Sequence, residues 1–280
     1  MSDADARDRE RRRSRRLRRL IIYGFIGAVI VCAAGPGRRL RTTSAEVRLP
    51  GLPAPAEGLR IAFLSDFHLG PWVGRRQVSR SVEMANSLRP DLIILGGDYI
   101  SHRRKYIAPC ARVLGRLRAP MGVYAVLGNH DHWVDAPATT RALEQVGIHI
   151  LTNRGEEISP GLYLAGIDDW WARPDLERAF AGAGKGDCVI LVSHNPDAIL
   201  DRRARRADLI LSGHTHGGQV AVVGPLLVAS EYGRRHPRGL HRVDDSQIYI
   251  TTGVGNGFPP LRLFCRPEVA LITLRRARGD

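Results

Sequence analysis

The 280-residue chain is short of the residues that would staple or simplify a fold. It has four cysteines, Cys32, Cys110, Cys188 and Cys265, far apart and without a CxxC pair, so neither a zinc ribbon nor a disulfide framework is indicated. Aromatic residues make up only 6%. No internal repeat and no low-complexity stretch interrupts the body, which excludes solenoid and disordered classes. The longest uncharged apolar run, residues 20–34, would measure about 22 Å as a helix at 1.5 Å per residue, against a hydrocarbon core of roughly 30 Å. It can span a bilayer only with help from its flanks.

What remains is ordinary globular material, 44% hydrophobic and 25% charged, with enough length for one α/β domain and a sizeable core. The net charge of +14 is unevenly placed. Residues 1–41 hold twelve arginines against four acids, +8 of the total, and the rest of the chain carries +6. The basic balance therefore describes the N-terminus more than the body, and a nucleic-acid partner is not favoured.

The N-terminal layout is basic residues 1–19, an apolar segment 20–37 and a Pro-containing stretch 38–58 read as a linker. The segment reads as a membrane anchor or signal, placing the protein at a membrane with the side of the folded body open. Ser14-Arg15-Arg16-Leu17 resembles a twin-arginine export signal, although Arg18 stands where that signal has an apolar residue. A basic helix lying on anionic lipid is the alternative.

From residue 59 to 280, short apolar runs at 61–64, 92–95, 123–127, 188–192 and 209–211 alternate with helix-like stretches near 75–88, 107–118, 137–146, 175–182 and 196–206. This pattern predicts an α/β architecture with functional loops at strand C-termini. Runs at 220–223, 248–251 and 269–272 predict further strands in a second sheet.

Polar blocks follow the strands in order: Ser65-Asp66-Phe67-His68, Gly97-Asp98, Gly128-Asn129-His130-Asp131, Ser193-His194-Asn195, and Gly213-His214-Thr215-His216-Gly217-Gly218-Gln219. Singly each is an ordinary turn. Together they gather carboxylate, imidazole and amide donors, a mixture suited to Mn, Fe or Zn rather than to the all-oxygen shells of Mg or Ca.

In these five blocks the sequence resembles the calcineurin-like metallophosphoesterase superfamily. The resemblance implies a four-layer α/β/β/α sandwich and a dinuclear metal centre. By position, Asp66, His68 and His216 would hold one divalent ion, Asn129, His194 and His214 the other, with Asp98 bridging, and His130 would act on the transition state or leaving oxygen. A metal-bridging hydroxide would attack phosphorus; two divalent ions, two aspartates and that hydroxide leave a charge of +1 opposite a singly charged phosphodiester. Ser101 departs from the family pattern, since many members carry there an acid that pairs with the catalytic histidine; Asp131 is the candidate replacement.

Within the superfamily the chain looks closest to the membrane-anchored bacterial branch, on its N-terminal segment, its extended histidine block, and Gly253-Val254-Gly255-Asn256-Gly257 followed by Pro259 and Arg262. That branch implies a phosphodiesterase or pyrophosphatase, with UDP-2,3-diacylglucosamine of lipid A synthesis or another lipid-linked diester as substrate. Arg75, Arg76, Arg103 and Trp133 are candidate substrate contacts; Trp72, Trp170 and Trp171 fit loop bases as readily as a site, and His102, His132 and His149 read as non-ligands. A nuclease of the same superfamily and a catalytically silent binding module are the alternatives. The oligomeric state is not legible.

Overall fold

A computed structural model describes residues 12–25, 27, 39–219, 228–257, 262 and 265–277. Two six-stranded sheets face one another. The first, in spatial order β1-β12-β2-β3-β4-β5, is built from β1 (Arg41–Leu49), β12 (Glu268–Arg276), β2 (Arg60–Leu64), β3 (Leu92–Leu95), β4 (Val123–Ala125) and β5 (His149–Ile150). The second, β10-β11-β9-β8-β7-β6, contains β10 (Gly239–Val243), β11 (Ser246–Ile250), β9 (Leu209–Ser212), β8 (Cys188–Val192), β7 (Leu162–Gly166) and β6 (Arg154–Ser159).

The central strands of both sheets run parallel, and their alternation explains the layering. In β2, Ile61 and Phe63 enter the core between the sheets while Ala62 and Leu64 face the outer helices. In β8, Cys188, Ile190 and Val192 point inward, and Val189 and Leu191 outward. A strand buried on both faces must be apolar throughout, which is why these runs were visible in the sequence. Helices Arg75–Ser87, Ile107–Leu114 and Ala136–Glu144 cover the first sheet; Leu176–Phe180, Glu231–Arg235 and short 3-10 turns cover the second. The arrangement is a mixed α/β sandwich of two sheets between helical layers.

Several expectations need correction. Residues 38–58 are not a linker: Arg41–Leu49 forms the edge strand β1, paired in parallel with β12 from Arg41 opposite Glu268 to Leu49 opposite Arg276. Its outward residues are polar and exposed, as suits an edge, and this hid it. The strand at 269–272 belongs to the first sheet, inserted antiparallel beside β2, not to the second. The helix expected over 196–206 is two 3-10 turns, Pro196–Leu200 and Ala204–Arg206. The run at 220–223 lies outside the described residues. The described cysteines, Cys110, Cys188 and Cys265, are free and buried.

At the N-terminus residues 12–25 are helical. Among the described residues no helix is long and apolar enough to cross a membrane, and most of the expected anchor, 26 and 28–37, lies outside them. Leu17, Leu20, Ile21, Ile22, Tyr23 and Phe25 are all more than half exposed.

Candidate metal centre

All five polar blocks converge at the C-terminal ends of the parallel strands. Asp66 and His68 follow β2, Asp98 follows β3, Asn129 begins the short helix Asn129–Val134 after β4, His194 follows β8, and His214 and His216 follow β9. Donor atoms of Asp66, His68 and His216 lie within 4.8 Å of one another, and so do those of Asp66, Asp98 and His194. A third such group, His68, Asp98 and His130, overlaps both. Asn129 Oδ1 completes the set, 3.1 Å from His214 Nδ1, which is itself 3.2 Å from His194 Nε2.

Asp98 stands between the two halves. Its Oδ2 is 3.4 Å from His68 Nε2 and 3.3 Å from His194 Nε2, and its Oδ1 accepts the backbone N–H of His130 at 2.9 Å. Although burial penalises the charge, His194 and His68 hold the Asp98 carboxyl well below its usual range. His194 is the counterpart: burial opposes its cation, yet Asp98 raises it well above the ordinary value. His68 is pushed down to about 3, chiefly by burial, and burial also lowers His214 and His216.

The imidazoles are oriented by their outer nitrogens. His194 Nδ1 donates to the Gly96 carbonyl at 2.7 Å, and His214 Nε2 to Ala229 at 3.1 Å. His68 Nδ1 meets Ser101 Oγ at 3.0 Å. With those outer nitrogens so engaged, the inner nitrogens of the three rings turn toward the common centre. His68 Nε2 and His216 Nε2 face one another at 3.0 Å. Buried imidazole nitrogens gathered beside the Asp66 and Asp98 carboxylates fit a divalent cation, which takes up neutral imidazoles. The donor set therefore suits a dinuclear divalent site.

The backbone holds these groups in an uncommon conformation. Asp66, His68, Asp98, His214 and His216 all have positive φ, between 48° and 69°, and non-glycine residues there cluster at functional sites. Two glycines give the turns room. A Cβ on Gly128 would run into the Asp98 carboxylate, and one on Gly213 into Ser65 Oγ and Asp66 Oδ2.

Asp131 does not orient His130. Fully buried, its carboxylate accepts the backbone N–H groups of Asp98 (2.9 Å), Gly128 (2.9 Å) and Tyr99 (3.0 Å), tying the β3 and β4 loops together. The His130 ring instead packs edge-on to His68 at 4.6 Å and against Trp133 at 4.6 Å. Ser101, whose substitution for an acid looked like a loss, bonds to His68.

Arg262, 1% exposed, is the principal group whose task the sequence did not suggest. Its guanidinium donates to the carbonyls of Thr252 (2.7 Å) and Gly255 (2.5 Å) and to Asn256 Oδ1 (2.9 Å), and Nη2 lies 3.4 Å from His216 Nδ1. The segment it gathers is bonded in turn to the first block, Val254 N–H to Ser65 and Gly255 N–H to Asp66. A cation held by carbonyls shows no pattern in a sequence.

A cavity of about 170 Å³ opens over the donors, lined by Asp98, Asn129, His130, Trp133, Trp171 and His214 among others. Of the four expected substrate contacts, Trp133 lines it. Arg75 and Arg76 do not: they line a separate hollow with Glu83 and Arg116, because they begin a helix whose exposed side turns away from the donors. Arg103 is exposed at the start of the 3-10 turn Arg104–Tyr106. Trp171 was left open by the sequence, and it packs edge-on to His214 at 4.9 Å. His132 pairs with Asp168 at 2.7 Å, outside the donor cluster.

The comparisons with known proteins agree with this geometry. The family model for calcineurin-like phosphoesterase matches residues 59–218. The chain is 34% identical over 276 residues to a Danio rerio protein named transmembrane protein with metallophosphoesterase domain, covering 92% of this chain and 61% of that one. It is 30% identical over 244 residues to a metallophosphoesterase of Aquifex aeolicus, covering 84% and 92%. To phosphodiesterase YaeI of Escherichia coli it is 33% identical over 228 residues, covering 78% and 83%. The chain thus spans about six-tenths of the Danio rerio relative and most of the two bacterial ones. On its motifs, its matched domain and its convergent donors, the chain belongs to the calcineurin-like phosphoesterase family.

Proposed function

We propose that the chain is a dimetal-dependent phosphoester hydrolase, membrane-associated through its N-terminal segment, acting on a diester or pyrophosphate. The observation that carries this reading is the convergence of seven donors from five strand ends, four of them (Asp98, Asn129, His214 and His216) lining one open cavity, with Asp98 shared between two groups. Asp66, His68 and His216 would hold one ion; Asn129, His194 and His214 the other; Asp98 both. Two bound divalent ions supply water activation near neutral pH and a clamp for the phosphoryl oxygens.

The chain's own residues do the rest. Asp66 accepts the His214 N–H through both oxygens, at 3.0 and 3.1 Å, so the β2 and β9 loops keep a fixed separation. His130, partly buried at the cavity wall, would protonate the leaving oxygen or stabilise charge on the phosphoryl oxygens. Trp133 and Trp171 give the cavity an apolar side where a non-polar substituent can lie.

The names phosphodiesterase and transmembrane protein carried by relatives support the diester and the membrane. A lipid-linked substrate, UDP-2,3-diacylglucosamine or another lipid phosphodiester, fits the apolar cavity wall. The protein loaded with Mn is expected to cleave bis-p-nitrophenyl phosphate in preference to p-nitrophenyl phosphate. Preference for the monoester would overturn the diester reading. Release of UMP from UDP-2,3-diacylglucosamine would establish that substrate, and no release with diesterase activity intact would remove it.

A further inference from the structure

Among the described residues of the folded body the most exposed large apolar side chains are Trp133 (66%), Trp72 (60%) and Trp171 (48%). Tryptophan is ordinarily among the more buried residues. Here the exposure is concentrated in one place. Trp133 and Trp171 line the cavity over the donors, while Trp72 lines a neighbouring hollow with His68, Ser101, His102 and His130; the two hollows share His130 and Gly257. The three indoles therefore ring the mouth of the metal centre.

Two further observations say what meets this rim. The first is charge: the turn after Asp98 presents exposed Arg103 and Lys105 next to His102 of the Trp72 hollow. The second is topology. β12 runs antiparallel to β2, so Glu268 lies at the end of the sheet where β2 finishes and the donors begin, and its N–H bonds Gly253. β1 is parallel to β12 and Arg41 pairs with Glu268. The chain thus enters the domain at the same end as the metal centre, preceded by a segment carrying Arg12, Arg13, Arg15, Arg16, Arg18 and Arg19 and exposed apolar side chains. A basic, apolar segment of that kind binds anionic lipid surfaces.

We propose that Trp72, Trp133 and Trp171 form a docking face for an anionic lipid bilayer, so that a headgroup phosphodiester is presented to the donors without leaving the surface. The proposal rests on the hydrolase reading above and names where its substrate lies. Indoles suit the interface because one ring accommodates both acyl carbon and headgroup water. Arg103 and Lys105 add attraction to the anionic surface.

The test uses the full chain and vesicles of phosphatidylcholine and phosphatidylglycerol with brominated acyl chains. All four tryptophans of the sequence lie in the folded body, so the N-terminal segment adds no tryptophan signal. The expected result is a blue shift and loss of about half of the emission on vesicle binding, with Trp72→Phe, Trp133→Phe and Trp171→Phe each removing part of the quenched component. Vesicle-bound protein whose emission is neither shifted nor quenched would overturn the docking face. Quenching by a single-stranded oligonucleotide in place of vesicles would overturn it in favour of base stacking. Mn-dependent cleavage of bis-p-nitrophenyl phosphate is followed in the same preparation. Cleavage without quenching sinks the docking face alone, whereas quenching without cleavage sinks the hydrolase reading and leaves the lipid face standing.

Discussion

The two sheets contribute unlike halves to the metal centre. The first supplies the oxygen donors Asp66, Asp98 and Asn129 together with one imidazole, His68; the second supplies only imidazoles, His194, His214 and His216. They are fixed by opposite means. On the first sheet, backbone N–H groups converge on a carboxylate, Asp131, which joins two loops. On the second, imidazole N–H groups reach out to backbone carbonyls, Gly96 and Ala229. A carboxylate in a buried site needs donors around it, and an imidazole N–H needs an acceptor behind it. The difference in scaffolding follows from the difference in ligand chemistry.

Replacing the shared ligand erases the comparison. Asp98→Ala is expected to abolish binding of both ions by metal analysis and to lower diester turnover by about 10³-fold or more, since it leaves each group short of a donor. His130→Ala separates chemistry from binding: metal content stays at the unmutated level while kcat falls by about 10² to 10⁴. Loss of the ions in that variant would make His130 a ligand, as its overlap with His68 and Asp98 allows.

The scaffolds themselves are probed next. Asp131→Ala leaves three backbone N–H groups without their acceptor and is expected to cost about 3 kcal/mol of stability in denaturant unfolding. Ser101→Ala affects the one imidazole of the first sheet, and affinity for one ion in a metal titration is expected to fall about 10-fold while the other is retained. Equal loss at both sites would show that Ser101 does not act through His68.

The smallest effect lies outside the centre. The hydrogen bond to Asp168 raises His132 above its usual pKa. A raised folded-state value means the stabilisation is complete below about pH 6.5 and fades as pH rises through the folded-state pKa. His132→Gln is expected to remove that slope from thermal unfolding measured between pH 5 and 9, by under about 1 kcal/mol, because the half-exposed pair is screened by solvent.

The oxygen and imidazole donors were legible because each ends an apolar run that a doubly covered parallel strand must have. Strands lacking that property were not. β1 shows a polar outer face and β6 is polar along most of its length. The supporting groups were illegible for a different reason. Ser101, Asp131 and Arg262 act on residues far away in sequence, so their partners exist only once the sheets are assembled. The helix near 75–88 was legible, but not that Arg75 and Arg76 at its start would line a hollow away from the donors, nor that five of the seven donors would sit at positive φ.

The parallel pairing of β1 with β12 has a practical corollary. Leu49 and Arg276 lie together at the end of the sheet opposite the donors, and Ala277 N–H bonds the Leu49 carbonyl there. A reporter fused beyond residue 277 therefore leaves from the back of the molecule. Such a fusion can read out which side of a membrane holds the domain, or fix the protein to a sensor chip, while the tryptophan-ringed mouth faces freely outward.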